Sequence, residues 1–513
     1  MRNANNGRLG FVLKNTVSVL FAQMITLVLG FFVRRVFIET LGIRYLGYNA
    51  VFGNILQMLN MAEMGVGIAI TSFLYRPIAD GALDKISALM YLYRQIYRMM
   101  GVAVIVIGCI VSMFLSQIIP DIADDIWYVR TLFYLNLLCT ASTYFIAYKR
   151  TLYIADQRTY IVTAVDAAIT AAASVIQIAI LYNAPNYIAF TAVVLVKTII
   201  SNVILSGMCD KAYSLSSDVK GSIVQDYKAS IKTYVKEIAI SKIGSYIYFS
   251  IDSIIISVFR GSILAGYLSN YTMITVQLNN VITQVLGSIQ ASLGNFVVTH
   301  TDERDVCAVV SEYFYAAYML GNIVMLCVTF LIDSFITVWI GGDYTLSGGT
   351  GLLLGVNLLL TISIAVPSQL FIVYKLFRYD YIVVLSAAAI KIILSIVLVN
   401  YWGINGVLIG TFMASLVYLY ARIGVLTKHV LTGRAGWFAG KIALYHAVTL
   451  VSWLFMYYAD RYINLGGPFG FAGKLIAVAV ISVVLTVGLT CWTKEFKSIL
   501  MRGRKLLASS RRR

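Results

Sequence analysis

Charge is scarce in this chain. Of its 513 residues only 12% are charged and 60% are hydrophobic, where a soluble protein carries roughly 25% charge. Prolines number five, histidines three and cysteines six. His300, His429 and His446 are scattered, and no two cysteines share a CxxC spacing. Neither a metal cluster nor a disulfide framework is expected from them. Also missing is a gap between apolar runs wide enough for a soluble domain; the longest, 208–235, is a linker. No glycine-rich nucleotide-binding loop occurs, which argues against an ATP-driven pump. No small-residue cleavage site follows the first apolar run at about 15–33. Arg34-Arg35 follows it instead, so this run is expected to be an uncleaved first span.

What the chain does have is apolar runs of about twenty residues, each long enough to cross a bilayer. About fourteen recur. The net charge of +17 could suggest nucleic acid, but its placement reports topology. With the N-terminus inside, seven Lys and Arg fall outside: Arg34, Arg35, Arg44, Arg130, Arg260, Arg461 and Lys474. Lys197 and Lys391 fall within spans, and the rest lie inside. That bias is the positive-inside rule. No nucleic-acid partner is expected, and both termini are expected to be cytoplasmic. The basic tail, ending in Arg511-Arg512-Arg513, is expected to lie on anionic lipid.

Several runs carry a polar stripe. Span 1 (about 14–33) places Gln23, Thr26, Gly30 and Arg34 on one face. Span 2 (about 47–70) aligns Asn49, Gly53, Gln57, Asn60 and Gly67, with Glu63 beside them. In span 7, Ser241, Ser245, Tyr248 and Asp252 share a face; in span 8, Asn270, Gln277, Asn280, Gln284 and Gly287 do. Within a membrane such a stripe faces other helices or a wet path. Spans 11 and 12 are expected at about 380–400 and 404–424. The many tyrosines are expected mostly at the two interfaces.

An internal repeat organises the chain. Gln57, Asn60, Gly67 and Gly101 recur at one fixed offset as Gln277, Asn280, Gly287 and Gly321. Tyr160-Ile161-Val162 recurs as Tyr381-Ile382-Val383, at an offset longer by a single position. The expected fold is an all-α polytopic membrane protein of about fourteen transmembrane helices. Two six-helix lobes, 1–207 and 236–426, flank the linker 208–235. Spans 13–14 (427–493) and a tail (494–513) follow. Six spans per lobe make both point the same way, related by a pseudo-two-fold along the membrane normal.

Ordered segments then resemble one family. They include Phe37-Ile38-Glu39-Thr40-Leu41-Gly42, Met61-Ala62-Glu63-Met64-Gly65-Val66-Gly67 and Leu74-Tyr75-Arg76-Pro77. Further on come Tyr153-Ile154-Ala155-Asp156-Gln157-Arg158-Thr159-Tyr160, Ile251-Asp252-Ser253 and Trp339-Ile340-Gly341. Together they resemble the polysaccharide (O-antigen) flippases of the multidrug/oligosaccharidyl-lipid/polysaccharide exporter superfamily. The resemblance implies a bacterial cytoplasmic-membrane protein, no enzyme, that moves a lipid-linked oligosaccharide on undecaprenyl pyrophosphate to the outer leaflet. It implies membrane lipids and polysaccharide-assembly proteins as neighbours, and action as a monomer. No cofactor is expected beyond a coupling ion, H+ or Na+.

The charged candidates each have two readings. Arg34 and Arg35 are interfacial anchors or cavity cations that grip pyrophosphate bidentately; Arg34, which closes the stripe, is favoured. Glu63 and Asp252 line a cavity and couple a cation, or pair helix to helix. Lys197 and Lys391 line the cavity, snorkel, or pair with Asp166. Asn60, Asn270, Gln277 and Asn280 contact sugar or hold helices together. The competing functions are a multidrug exporter of the same superfamily, usually with no extra helix pair, and a membrane polysaccharide polymerase. A polymerase usually has a large outer loop with catalytic acids or arginines, and the outer loops here are short.

Overall fold

The computed structural model describes residues 2–122, 125–213, 247–299, 303–346, 348–374, 376–430, 435–463 and 467–510, with isolated residues between 214 and 246. Most of the expected linker 208–235, the start of span 7 with Ser241, and Arg511–Arg513 lie outside the described residues. The described residues are helical almost throughout. Their helices are α1 (Arg2–Leu41), α2 (Ile43–Leu59), α3 (Met61–Ala79), α4 (Leu83–Met113), α5 (Leu115–Ile118), α6 (Ile126–Ile146), α7 (Arg150–Ala155), α8 (Thr159–Asn183) and α9 (Tyr187–Tyr213). After these come α10 (Asp252–Arg260), α11 (Ser262–Thr299), α12 (Glu303–Trp339), α13 (Thr350–Val373), α14 (Phe377–His429), α15 (Ala435–Asp460), α16 (Gly467–Thr490) and α17 (Lys494–Ser510). Among the described residues, nine helical segments are long and apolar enough to cross a membrane.

The chain divides into two compact units, residues 1–266 and 267–513. In the first, α1 packs on α8, α6 on α4 and α9, and α3 on α4 and α7. In the second, α13 lies between α12 and α14, while α16 packs on α12 and α15. The division falls later than the linker, so α10 packs within the first unit, against α2 and α5.

Helix boundaries depart from the apolar runs in three places. Span 1 belongs to a helix that continues to Leu41, so Arg34 sits two turns inside the helix and not at its end. Helix formation continues past the arginines because Val36, Phe37 and Ile38 bury behind them. Span 2 is two helices, broken at Asn60. Asparagine is a poor interior residue because its side chain competes for hydrogen bonds; Asn60 Oδ1 accepts from Tyr144 (2.8 Å). Spans 11 and 12 form one 53-residue helix folded at Gly403, where φ is 54° and ψ −129°.

Two glycines mark the repeat in the backbone itself. Gly42 joins α1 to α2 at φ 93°, ψ 164°, and Gly261 joins α10 to α11 at φ 88°, ψ 164°. They occupy matching places in the two halves and share one conformation, which essentially only glycine adopts. Packing repeats as well. A Cβ on Gly101 would meet Tyr144 and Phe145 of α6 at 3.0 Å; one on Gly321 would meet Leu359 of α13 at 2.9 Å.

Some of the tyrosines lie inside the protein. Tyr93, Tyr144, Tyr187, Tyr248, Tyr271 and Tyr315 are among the largest fully buried side chains. Their rings fill the interior, and the Tyr271 hydroxyl donates to Asp333 (2.6 Å) and accepts from the Leu346 amide (2.7 Å).

Candidate functional site: a polar cavity in the first unit

The break at Asn60 shapes the site. It separates α2 from α3, and Glu63 lies in the first turn of α3. A broken helix at membrane depth is tolerated where it lines a cavity or is buried in protein. Here it borders a cavity of about 620 Å³, lined by Gln57, Asn60, Glu63, Gly67, Thr71, Ser72, Tyr75, Tyr93, Tyr97, Thr151 and Ile154. The volume is that of an ordinary small-molecule site. Four helices contribute: α2, α3, α4 and α7.

A chain of hydroxyls crosses one wall. Thr151 donates to Tyr93 (3.3 Å), Tyr93 to Tyr97 (2.6 Å), and Tyr97 to Glu63 Oε1 (2.8 Å). Every link points toward the carboxylate, which ends the chain as acceptor. Tyr93 and Tyr97 are one turn apart on α4, so their rings contact edge-on at 4.2 Å between centroids. Gly67 faces both hydroxyls: a Cβ there would make ordinary contact at 3.5 Å from that of Tyr93 and 3.8 Å from that of Tyr97. A second cavity, of about 640 Å³, shares Tyr75 as a wall and is lined by Ile78, Ala79, Ala155, Asp156, Gln157 and Arg158. Gln157 takes φ 58°, and Arg158 pairs with Asp156 at 3.0 Å.

Of the sequence candidates, Asn60 and Glu63 come together in the first cavity. Arg34 is half-buried in α1 and does not line it. Arg35 is exposed and paired with Glu39 at 2.8 Å, one turn on along α1. Asp252 is half-buried at the start of α10, just after a break at Ile251; an acid suits that helix end. Asn270 is buried in α11, Gln277 half-buried and Asn280 exposed. Lys391 is buried in α14 at 1% exposure.

Among the described residues Asp166 does not pair with Lys197. Asp166 is held by Arg150 and Ser201. Arg150 opens α7, which packs on α8, and its Nη2 donates to both groups. Lys197 is half-buried on α9, one turn from Ser201. The second unit has a counterpart: Arg422 binds Asp380 (2.5 Å) and Ser368 and lies 4.3 Å from the Tyr418 ring centroid. In the register of the repeat, Arg422 occupies the position equivalent to Ser201. Among the described residues no group of three His, Cys, Asp or Glu side chains could hold a metal ion.

The sequence reading missed Tyr93, Tyr97, Tyr144 and Thr151. One signal was present, the tyrosine pair at i, i+4 on the helix after Glu63.

No family model and no curated protein matches the chain. Solved structures do. The lipid II flippase MurJ, in an inward closed conformation, aligns with a TM-score of 0.67 at 10% identity, covering 93% of this chain and 98% of that one. An inward-facing multidrug resistance MATE family transporter of the MOP superfamily aligns at 0.60 and 14% identity, covering 80% and 99%. An outward-facing MATE family transporter aligns at 0.56 and 12%, covering 81% and 96%. The chain has the fold of these proteins. At such identities the likeness concerns the fold alone. It matches the expected all-helical architecture, and it extends over nearly the whole of MurJ.

Proposed function

We propose that the chain is a flippase that carries a lipid-linked oligosaccharide, on undecaprenyl pyrophosphate, from the inner to the outer leaflet of the bacterial cytoplasmic membrane. Alternating access moves the substrate, for the synthesis of a surface polysaccharide such as O-antigen. Both termini face the cytoplasm. The observation that carries the reading is the polar cavity around Glu63, set inside apolar helices of a fold shared with a lipid flippase. Polar groups at that position are paired or face a wet path, and the cavity leaves room beside them for a polar ligand.

Coverage favours a flippase over a multidrug exporter. The MATE structure is nearly complete in the alignment yet leaves a fifth of this chain unmatched, whereas MurJ leaves far less. Covalent chemistry is disfavoured because Glu63 is the lone carboxylate of the described lining. Glycosidic chemistry generally uses a pair of acids.

Deletion of the gene tests the reading. Mass spectrometry of the membrane lipids should find a complete glycan accumulating on its lipid carrier. Accumulation of glycan shorter than the complete unit, or of none, would contradict it.

A further inference from the structure

The cavity around Glu63 is selective by composition. It offers one carboxylate, two amides, several hydroxyls and three tyrosines, with no lysine or arginine among its described lining residues. A pyrophosphate placed there would meet a carboxylate with no cation to offset the repulsion, in surroundings of low dielectric. A glycosyl unit meets the opposite situation. Its hydroxyls donate to carboxylate and amide oxygens, and its apolar faces lie against rings. Tyr75, 53% exposed, presents such a ring where the two cavities meet.

The repeat separates scaffold from function. Gln57 and Asn60 have counterparts in Gln277 and Asn280, and Tyr93 in Tyr313. Where Glu63 and Tyr97 stand, the second half has Thr283 and Ala317, and where Thr151 stands it has Ile372. A network needed only to hold the repeated helices together would occur in both halves. The acid with its hydroxyl chain belongs to the first half alone. The Tyr97 hydroxyl, by donating to Oε1, engages one of the two carboxylate oxygens of a residue that lines the cavity.

We propose that this cavity is a subsite for an uncharged glycosyl unit of the substrate, with Glu63 as hydroxyl acceptor and Tyr97 as its positioning residue, and that it excludes the pyrophosphate. The inference rests on the flippase reading for the source of the sugar, but its test does not.

Saturation-transfer NMR on the full chain in nanodiscs, with maltotriose as the probe, measures the subsite directly. Wild-type protein should bind maltotriose. Glu63→Gln should weaken binding about tenfold, the scale of one hydrogen bond to a charged group, and Tyr97→Phe should weaken it less. Equimolar inorganic pyrophosphate should not displace the sugar, and glucuronate should bind more weakly than glucose. No wild-type binding, equal binding by Glu63→Gln, or displacement by pyrophosphate would overturn the proposal. The same preparation, reconstituted in liposomes, is assayed for flipping of a fluorescent lipid-linked oligosaccharide. Sugar binding without flipping would overturn the flippase reading and leave the subsite standing. Flipping without Glu63-dependent sugar binding would do the reverse.

Discussion

Gly47 and Gly266 lie against each other's helices. A Cβ on Gly47 would come within 1.9 Å of the carbonyl oxygen of Ser262, and one on Gly266 within 2.6 Å of that of Ile43. Residues 43 and 47 recur as 262 and 266, so the contact is one pattern made twice, reciprocally. Small residues let the backbones approach this closely. Around it, Asp121 accepts from Ser262 at the start of α11, and Ser257 donates to the Ile118 carbonyl at 2.9 Å.

Gly47→Val should therefore lower the melting temperature in detergent and reduce membrane yield. Overpacking of a tight contact costs about 1–3 kcal/mol, and here the obstacle is backbone. Gly53→Ala is the control, since a Cβ there meets nothing within 4 Å. Equal melting of the two variants would remove the close contact from the account.

Arg422→Ala should be among the most destabilising single changes in the second unit. It leaves Asp380, 7% exposed, without its guanidinium. Breaking a buried pair costs about 3–5 kcal/mol, whereas an exposed pair such as Arg35 with Glu39 is worth about 0–1 kcal/mol. Replacing Arg422 and Asp380 together by leucine should recover part of the loss. Unfolding in denaturant checks the order: Arg422→Ala worst, the double variant between, Arg35→Ala close to wild type.

Much of this was legible in the sequence. Helices and repeat follow from apolar windows and a shared offset, both properties of a linear string. Asn60 was legible from the polar stripe of span 2, and Glu63 from its place beside that stripe. The rest of the cavity was not, because Tyr93 and Tyr97 come from α4 and Thr151 from α7; Tyr144, the partner of Asn60, comes from α6. A tyrosine destined for a buried hydroxyl chain reads like one destined for the membrane surface. The partner of Asp166 was hidden for a similar reason. Arg150 follows the end of span 4, where a basic residue is ordinarily a topology signal, and only the fold turns it onto α8. Breaks at Asn60 and Ile251 left no trace in hydropathy, since their neighbours are apolar.

Adjacent arginines should behave differently. Arg34→Ala should abolish glycan export with normal membrane levels, and Arg34→Lys should retain part, since charge survives without the bidentate fork. Arg35→Ala should export normally, its side chain being 51% exposed and tied to Glu39. Immunoblots with surface-glycan staining read both quantities. Wild-type export by Arg34→Ala would make Arg34 an interfacial anchor.

Tyr97→Phe should slow transport about tenfold or more without lowering protein level. The ring and its packing on Tyr93 and Tyr144 remain, while the donor to Glu63 and the acceptor for the Tyr93 hydroxyl are lost; a hydrogen bond to a charged acceptor is worth about 1.5–3 kcal/mol. Initial rates in proteoliposomes, set against the melting temperature, separate this from a loss of fold. A matching fall in both would make the hydroxyl chain merely structural.

The most direct measurement is flipping itself. Purified chain in liposomes is given a fluorescent lipid-linked oligosaccharide, and a membrane-impermeant quencher reports which leaflet holds it. Wild-type protein should equilibrate the probe between leaflets well above the protein-free rate, and Glu63→Gln and Arg34→Ala should each slow it. A wild-type rate equal to that of empty liposomes, with the protein folded and correctly inserted, would contradict the account.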